Sequence, residues 1–361
     1  MYSIFDTEKL EEFRKNHKLQ PFRIKQIYHN IFKNSIIDFD QMTDLSKDLR
    51  AKLKENFYIV SLQPQKILDS HDTTKIAFKT TKWHTFETVL MHHYHTKENW
   101  DQKLNRITIC LSSQIWCAVG CKFCVTWKLG FIDNLTDKEI LEQIIWANNY
   151  VKQKFWKKED GTWYKVRNVV FMWMGEPMLN YDNVRNSISM MLDQNKLSLS
   201  KRHITISTSG IVPGIRQMIS DNLDVMLAIS LHSADPATRE EIMPITQRYN
   251  LDELMEVLDK YVEKTWNRVF YEYIMIKDLT DTIPQAKALV NLLKWRLAHV
   301  NLIPYNENPV VDYKTPSMDR ILKFKKYLED HGLTATIRTT MWEEIKWACG
   351  QLGYEKVRNS T

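Results

Sequence analysis

The chain has 361 residues, 43% of them hydrophobic, a net charge of +6 and a pI of about 8.8. That is enough to bury a sizeable core in one large domain with a small module beside it, and too little for three ordinary domains. The mildly basic balance permits an RNA or phosphate-rich partner without requiring one, no apolar run approaches membrane-spanning length, and five cysteines, an odd number, argue against a disulfide scaffold. Met1-Tyr2-Ser3 leads straight into charged sequence, so no secretory leader is expected and a reducing, cytoplasmic setting is.

Residues 1–60 read as a helical module. Apolar residues recur at helical spacing over 22–32, and Thr43-Asp44-Leu45-Ser46-Lys47-Asp48 has the form of a helix start with an acid in its first turn. Residues 61–103 read as a short β-rich connection, with 76–79 and 86–91 as strands. From 104 to 361, strand patterns at 106–111, 168–173, 203–208, 225–231, 268–276, 299–303 and 334–338 alternate with helical patterns near 136–153, 181–194, 211–220, 251–264, 283–297 and 317–331. This alternation predicts an α/β fold whose parallel sheet curls into a full or partial barrel, with chemistry at the C-terminal ends of the strands. Cys110, Gly175, Ser207, Ser230 and Asn306 all fall at or just after such an end.

Cys117, Cys121 and Cys124 form a C-x3-C-x2-C triplet. A structural zinc site takes four Cys or His ligands, and no histidine follows at finger spacing. Three thiolates can instead hold three irons of a cubane cluster and leave the fourth open for a ligand. Gly175-Glu176 follows a predicted strand, where a glycine lets backbone approach a ligand and an acid can bind an ammonium or a ribose hydroxyl; a plain strand-to-helix turn is the blander reading. Ser207-Thr208-Ser209 and Ser230-Leu231-His232 close two further strands with hydroxyls that ordinarily cap helices. Cys349, beside Gly350, suits a mobile, exposed thiol.

Taken in order and spacing, the triplet, Gly-Glu-Pro, Ser-Thr-Ser-Gly, Ser-Leu-His, Asn-Leu-Ile-Pro-Tyr-Asn and Ala-Cys-Gly-Gln-Leu resemble the RlmN/Cfr radical S-adenosylmethionine (SAM) RNA methyltransferases, and Gln26-Ile27-Tyr28-His29 and Met42-Thr43-Asp44-Leu45-Ser46 extend the likeness into the N-terminal module. The resemblance implies a partial (βα)6 radical SAM barrel with a small helical N-terminal domain that docks RNA. It implies a 4Fe-4S cluster on Cys117, Cys121 and Cys124, and SAM held by Gly175, Glu176, Ser207, Ser230, Leu231, His232 and Asn306, two SAM per turnover. One SAM would methylate Cys349; a radical made from the second would activate that methyl for addition to an electron-poor adenine carbon. Glu87 would take the ring proton, and Cys110 would attack Cys349 to release the product, leaving a disulfide. The implied substrates are an adenosine of the 23S rRNA peptidyl-transferase centre and an adenosine of the tRNA anticodon loop, with a flavodoxin-type electron donor and a monomeric enzyme. Glu87-Thr88-Val89 and the N-terminal match lean toward methylation at C2 over C8, the Cfr alternative. A radical SAM enzyme on another substrate would not need the Cys110–Cys349 pair, and a non-enzymatic RNA-binding protein would not need the triplet.

The chain departs from that family in one consistent way. Trp116, Trp127, Trp173 and Trp347, and with them Trp83, Trp266, Trp295 and Trp342, stand where relatives of this type carry glycine. The chain has 12 tryptophans and only 9 glycines, where average usage of roughly 7% would give about 25 glycines. Exchanging the tryptophans brings glycine close to that expectation. The pattern suggests UGA codons that the source organism reads as glycine; a diverged, inactive homologue is the alternative.

Overall fold

The structure, a computed structural model, describes residues 1–96, 102–126, 130–155, 157–158, 160–172, 174–308 and 311–338. The chain divides into two units: the first holds Met1–Leu111, Leu135–Val169 and Asp182–His203, the second Ser112–Asn134, Val170–Tyr181 and the described part of Ile204–Thr361.

The first unit opens with strand β1 (Tyr2–Ser3) and helices α1 (Thr7–Asn16), α2 (Phe22–Tyr28) and α3 (Lys47–Asn56). The Asp6 carboxylate accepts from Lys9 N at the start of α1, and Ser46 Oγ from Leu49 N at the start of α3. These side chains satisfy amides that a helix N-terminus leaves without partners. A π-helical turn, His29–Lys33, carries α2 onward over the predicted apolar run. Strand β2 (Phe57–Tyr58) pairs in parallel with β1.

Next come β3 (Gln63–Asp69), β4 (Thr73–Lys79), β5 (Thr85–Thr96) and β6 (Gln102–Cys110), an antiparallel meander. The alternation of buried and half-buried residues along β4 is the period-2 pattern of a sheet with one covered face. The predicted strands at 76–79 and 86–91 lie inside β4 and β5, and β5 is longer than the sequence pattern suggests, at 12 residues. β6 runs antiparallel to β5 at one edge and stands beside β9 in the sheet order at the other, so the strand expected to open the barrel also ends the meander.

The chain then forms a small antiparallel pair in the second unit, β7 (Gln114–Ile115) with β8 (Asp133–Asn134). It returns to the first unit as α4 (Asp137–Lys154), started by a capping box of Thr136 and Glu139. The buried face of α4 meets the meander: Thr88 Oγ1 lies 2.7 Å from Gln143 Oε1, and Trp146 stands edge-on to Phe78. Glu142, wholly buried, accepts from Ser61 N, Ser61 Oγ and Leu62 N. Strand β9 (Val166–Phe171) crosses the division at Val169, and α5 (Tyr181–Leu192) lies almost wholly in the first unit.

The second unit continues β10 (Ile204–Thr208), α6 (Val212–Ser220), β11 (Met226–Ser230), α7 (Pro236–Ile242), α8 (Leu251–Thr265), β12 (Val269–Met275), α9 (Ile283–Leu293), β13 (Ala298–Pro304), α10 (Met318–Asp330) and β14 (Ala335–Ile337). The strands pair in parallel in the order β10-β11-β12-β13-β14. Each connection carries a helix, as parallel pairing demands. The predicted strands and helices match these elements to within a few residues at their ends; α7 and the β7–β8 pair went unpredicted. No described helix is long and apolar enough to cross a membrane.

Three of the suspect tryptophans have left-handed backbone: Trp83 (φ 70°), Trp116 (φ 63°) and Trp266 (φ 56°). Trp266 closes α8 in the αL position where helices ordinarily place glycine, since a Cβ there crowds the following carbonyl. Its indole is 83% exposed and gains little from packing. Trp295 is exposed with an ordinary φ. Trp127, Trp173, Trp342 and Trp347 lie outside the described residues.

Candidate active site

In the second unit a cavity of about 120 Å³ opens at the C-terminal ends of the parallel strands. Cys117, Cys121 and Cys124 form one wall with Val119 and Phe123 between them; Gly175, Glu176, Ser207, Ser230 and His232 form another. These eight predicted residues, spread over more than one hundred positions of sequence, meet in one place because β9, β10, β11, β12 and β13 all bring residues to it.

The cysteine loop is held by backbone. Cys124 N donates to Cys121 O at 3.0 Å, and Lys122 N to Ile242 O at 2.9 Å at the end of α7. Burial pushes the Cys117 thiol up to about 12 and the Cys121 thiol well above its ordinary range, and the charge of Cys124 adds to both. Burial thus favours the neutral thiols, and only a cationic group bound among them would hold them as thiolates. Among the described residues no three His, Cys, Asp or Glu side chains converge on a single metal-ion position. Three thiols spread round one cavity suit a cluster whose irons take one thiolate each, and the apolar Val119 and Phe123 exclude water as such a group requires.

The Gly175–Glu176 turn is locked by Gln114. Its Oε1 accepts from Glu176 N at 2.8 Å, while its Nε2 donates to Asn134 Oδ1 at 2.8 Å. Gly175 has φ +91°, open to glycine and costly to other residues. The Glu176 carboxylate accepts from Met178 N through one oxygen and from Ser209 N and Ser209 Oγ, both at 2.7 Å, through the other. It thus joins the ends of β9 and β10; burial raises its pKa and these donors oppose the rise.

His232 is buried with its ring edge-on to Phe123 at 4.8 Å. Its Nδ1 accepts from Ile274 N at 3.2 Å, and burial with the nearby Arg239 charge pushes its pKa down to about 3, so the ring is neutral. Arg239, unpredicted, is almost fully buried. Its guanidinium donates to Leu231 O, Ser209 O and Thr246 Oγ1, fastening the loops after β10 and β11 to α7. Its charge also acts on Cys121.

Leu231 and Asn306 are not among the lining residues: Leu231 is buried, with its N–H and carbonyl shaping the turn, and Asn306 is half-buried just after β13. Cys110 ends β6 and Glu87 sits on β5, both in the first unit; the Glu87 carboxylate lies 3.4 Å from Lys75 Nζ. No disulfide joins the described cysteines. Cys349 lies outside the described residues.

Residues 4–59 match the family model of the ribosomal RNA large subunit methyltransferase N-terminal domain, and residues 111–289 match that of the radical SAM superfamily. The chain is 39% identical to a probable dual-specificity RNA methyltransferase RlmN of Aquifex aeolicus over 97% of each chain. The chain belongs to the RlmN family of radical SAM methyltransferases. The RlmN-named relative in Dictyoglomus thermophilum is 38% identical over 96% of this chain and 95% of its own. A solved radical SAM methyltransferase from Sphaerobacter thermophilus superposes with a TM-score of 0.87 at 33% identity, covering 98% of this chain and 99% of that one. The fold is therefore the radical SAM partial barrel with the N-terminal domain of RlmN proteins.

Proposed function

We propose that this chain methylates C2 of an adenosine in the peptidyl-transferase centre of 23S rRNA, and of an adenosine in tRNA, through a methylated cysteine. The observation that supports the reading most is the meeting of the cysteine triplet with Gly175, Glu176, Ser207, Ser230 and His232 around one cavity, in a chain that matches RlmN-named RNA methyltransferases nearly end to end.

Cys117, Cys121 and Cys124 would hold a 4Fe-4S cluster. Held there, such a cluster would supply the electron for reductive cleavage of SAM, with a flavodoxin-type protein as donor. The chain's own residues do the rest. Gly175 lets backbone come close to SAM, Ser207 and Ser230 offer hydroxyls to it, and neutral His232 packs beside Phe123 without placing a charge in the cavity. Cys349 would carry the transferred carbon as a thioether, lose one methyl hydrogen atom to the radical made from the second SAM, and bond that carbon to the adenine ring, the adduct then giving up one electron. Glu87 takes the C2 proton. Cys110 then attacks the Cys349 sulfur, so the sulfur–carbon bond breaks, the methylated base leaves and a Cys110–Cys349 disulfide remains for an external reductant. Residues 1–60 dock the RNA, whose target base leaves its stack to be reached.

Mass mapping of 23S rRNA and tRNA after incubation with anaerobically reconstituted protein, SAM and reductant tests the reading. A methyl on C2 of adenosine in those RNAs is the expected product; a C8 methyl or unmodified RNA overturns the assignment.

A further inference from the structure

Glu272 stands in the middle of β12, an apolar strand, with its side chain at the cavity wall. It is 4% exposed. One carboxylate oxygen, Oε1, accepts from Asn301 Nδ2 at 2.9 Å. The other, Oε2, is buried and has no hydrogen-bond partner among the described residues. A carboxylate oxygen left this way costs free energy, so the folded chain keeps it for something that arrives later.

Its surroundings are built to aim it. Ser230, Glu272, Asn301 and Thr336 are register partners on the adjacent parallel strands β11, β12, β13 and β14. Thr336 Oγ1 donates to Asn301 Oδ1 at 2.8 Å, which turns the Asn301 amide so that its Nδ2 faces Glu272. The chain of bonds has one direction and ends on an open acceptor. The backbone takes part too: Leu231 N and His232 N both donate to Glu272 O at 3.1 Å, tying the turn after β11 to this residue. Glu176, the other cavity acid, is already held by three donors of the chain. Glu272 is the cavity carboxylate with an oxygen to offer.

We propose that Glu272 is a ligand-binding residue of this cavity that takes a ribose hydroxyl of SAM. The inference rests on the SAM-dependent reading above. A vicinal diol presents two O–H donors, and Glu272 and its register neighbour Ser230 place an acceptor and a hydroxyl on adjacent strands, roughly 4.8 Å apart. A hydroxyl donating to a buried carboxylate forms a charge-assisted bond, stronger than a neutral one. Burial raises the pKa of Glu272 while the Arg338 charge opposes this, and Asn301 favours the ionised form by donating to it.

The test is equilibrium binding to the anaerobically reconstituted protein, with SAM and its 2′,3′-dideoxyribose analogue as probes. Wild-type protein should bind the analogue roughly 10- to 100-fold more weakly than SAM. Glu272→Gln, with iron content and circular dichroism unchanged, should lose a similar factor for SAM and bind both probes about equally, the non-additive outcome of a double-mutant cycle. Wild-type protein that binds the two probes alike overturns the proposal without need of any variant, as does Glu272→Gln that binds SAM with undiminished affinity. Failure of wild-type protein to bind SAM at all would instead overturn the methyltransferase reading itself.

Discussion

A Cβ placed on residue 175 would stand 2.6 Å from the Cβ of Gln114 and 2.8 Å from its backbone nitrogen. Neither atom is the yielding end of a side chain. Gly175→Ala is therefore expected to push Gln114 aside, break its bond to Glu176 N and lower stability by about 1–3 kcal/mol, with SAM affinity falling as well. Urea denaturation and SAM titration measure both; an alanine variant equal to wild type in each would contradict the packing described.

Arg239 satisfies two buried carbonyls on separate site loops. Arg239→Met keeps the volume and strands those acceptors, a loss of about 3 kcal/mol. Arg239→Lys restores the charge without the planar fork and should recover only part of it. The free energies come from denaturant melts, and a methionine variant as stable as wild type would show that the loops hold without the guanidinium.

Glu142 gives a pH dependence of known sign. Burial pushes its carboxyl up to about 7, against the opposing bonds from Ser61 and Leu62 and with a small push from Glu139. Its folded-state pKa lies above its unfolded one, so its contribution to stability is fully present below about pH 4.5 and is lost as pH rises through about 7. Stability measured between pH 5 and 8 should decline more steeply in wild type than in Glu142→Gln. Parallel curves would mean that the carboxyl is ionised throughout.

The two outer cysteines should fail at different stages. Cys349→Ala is expected to form no protein–RNA adduct, while Cys110→Ala accumulates one, because the bond to RNA then has no thiol to break it. Gel mobility of labelled RNA under denaturing conditions separates the cases. Normal turnover by Cys110→Ala would refute its role.

Trp266 tests the glycine reading by stability alone. Relief of a left-handed non-glycine residue at an exposed helix end should stabilise Trp266→Gly by about 1 kcal/mol. At the level of the gene, codons 83, 116 and 266 are expected to be UGA, and peptides from the native cell to carry glycine there. UGG codons would end the idea.

Much of the fold was legible because its helices and strands carry clean periods and β10–β14 recur at βαβ spacing. The strand-end residues Gly175, Ser207 and Ser230 were legible from their position in the alternation, and the triplet from the spacing of its three thiols. Glu272 was not, since a lone acid in Val269–Met275 looks like an interruption, and only the register with Ser230 and Asn301 shows its use. Arg239 was hidden in a seven-residue helix too short to give a periodic signal. Gln114 owes its importance to a contact with residue 176, which no local pattern encodes.

The left-handed turn at position 83 precedes every cysteine in the chain. On the glycine reading, a neighbouring lineage that treats UGA as a terminator would stop translation after Lys82 and release a fragment lacking all thiols of the candidate site. The gene would then be legible only to cells sharing its dialect, and its transfer to others would carry no working methyltransferase. A turn chosen for the backbone would thereby act as a barrier to inheritance across species.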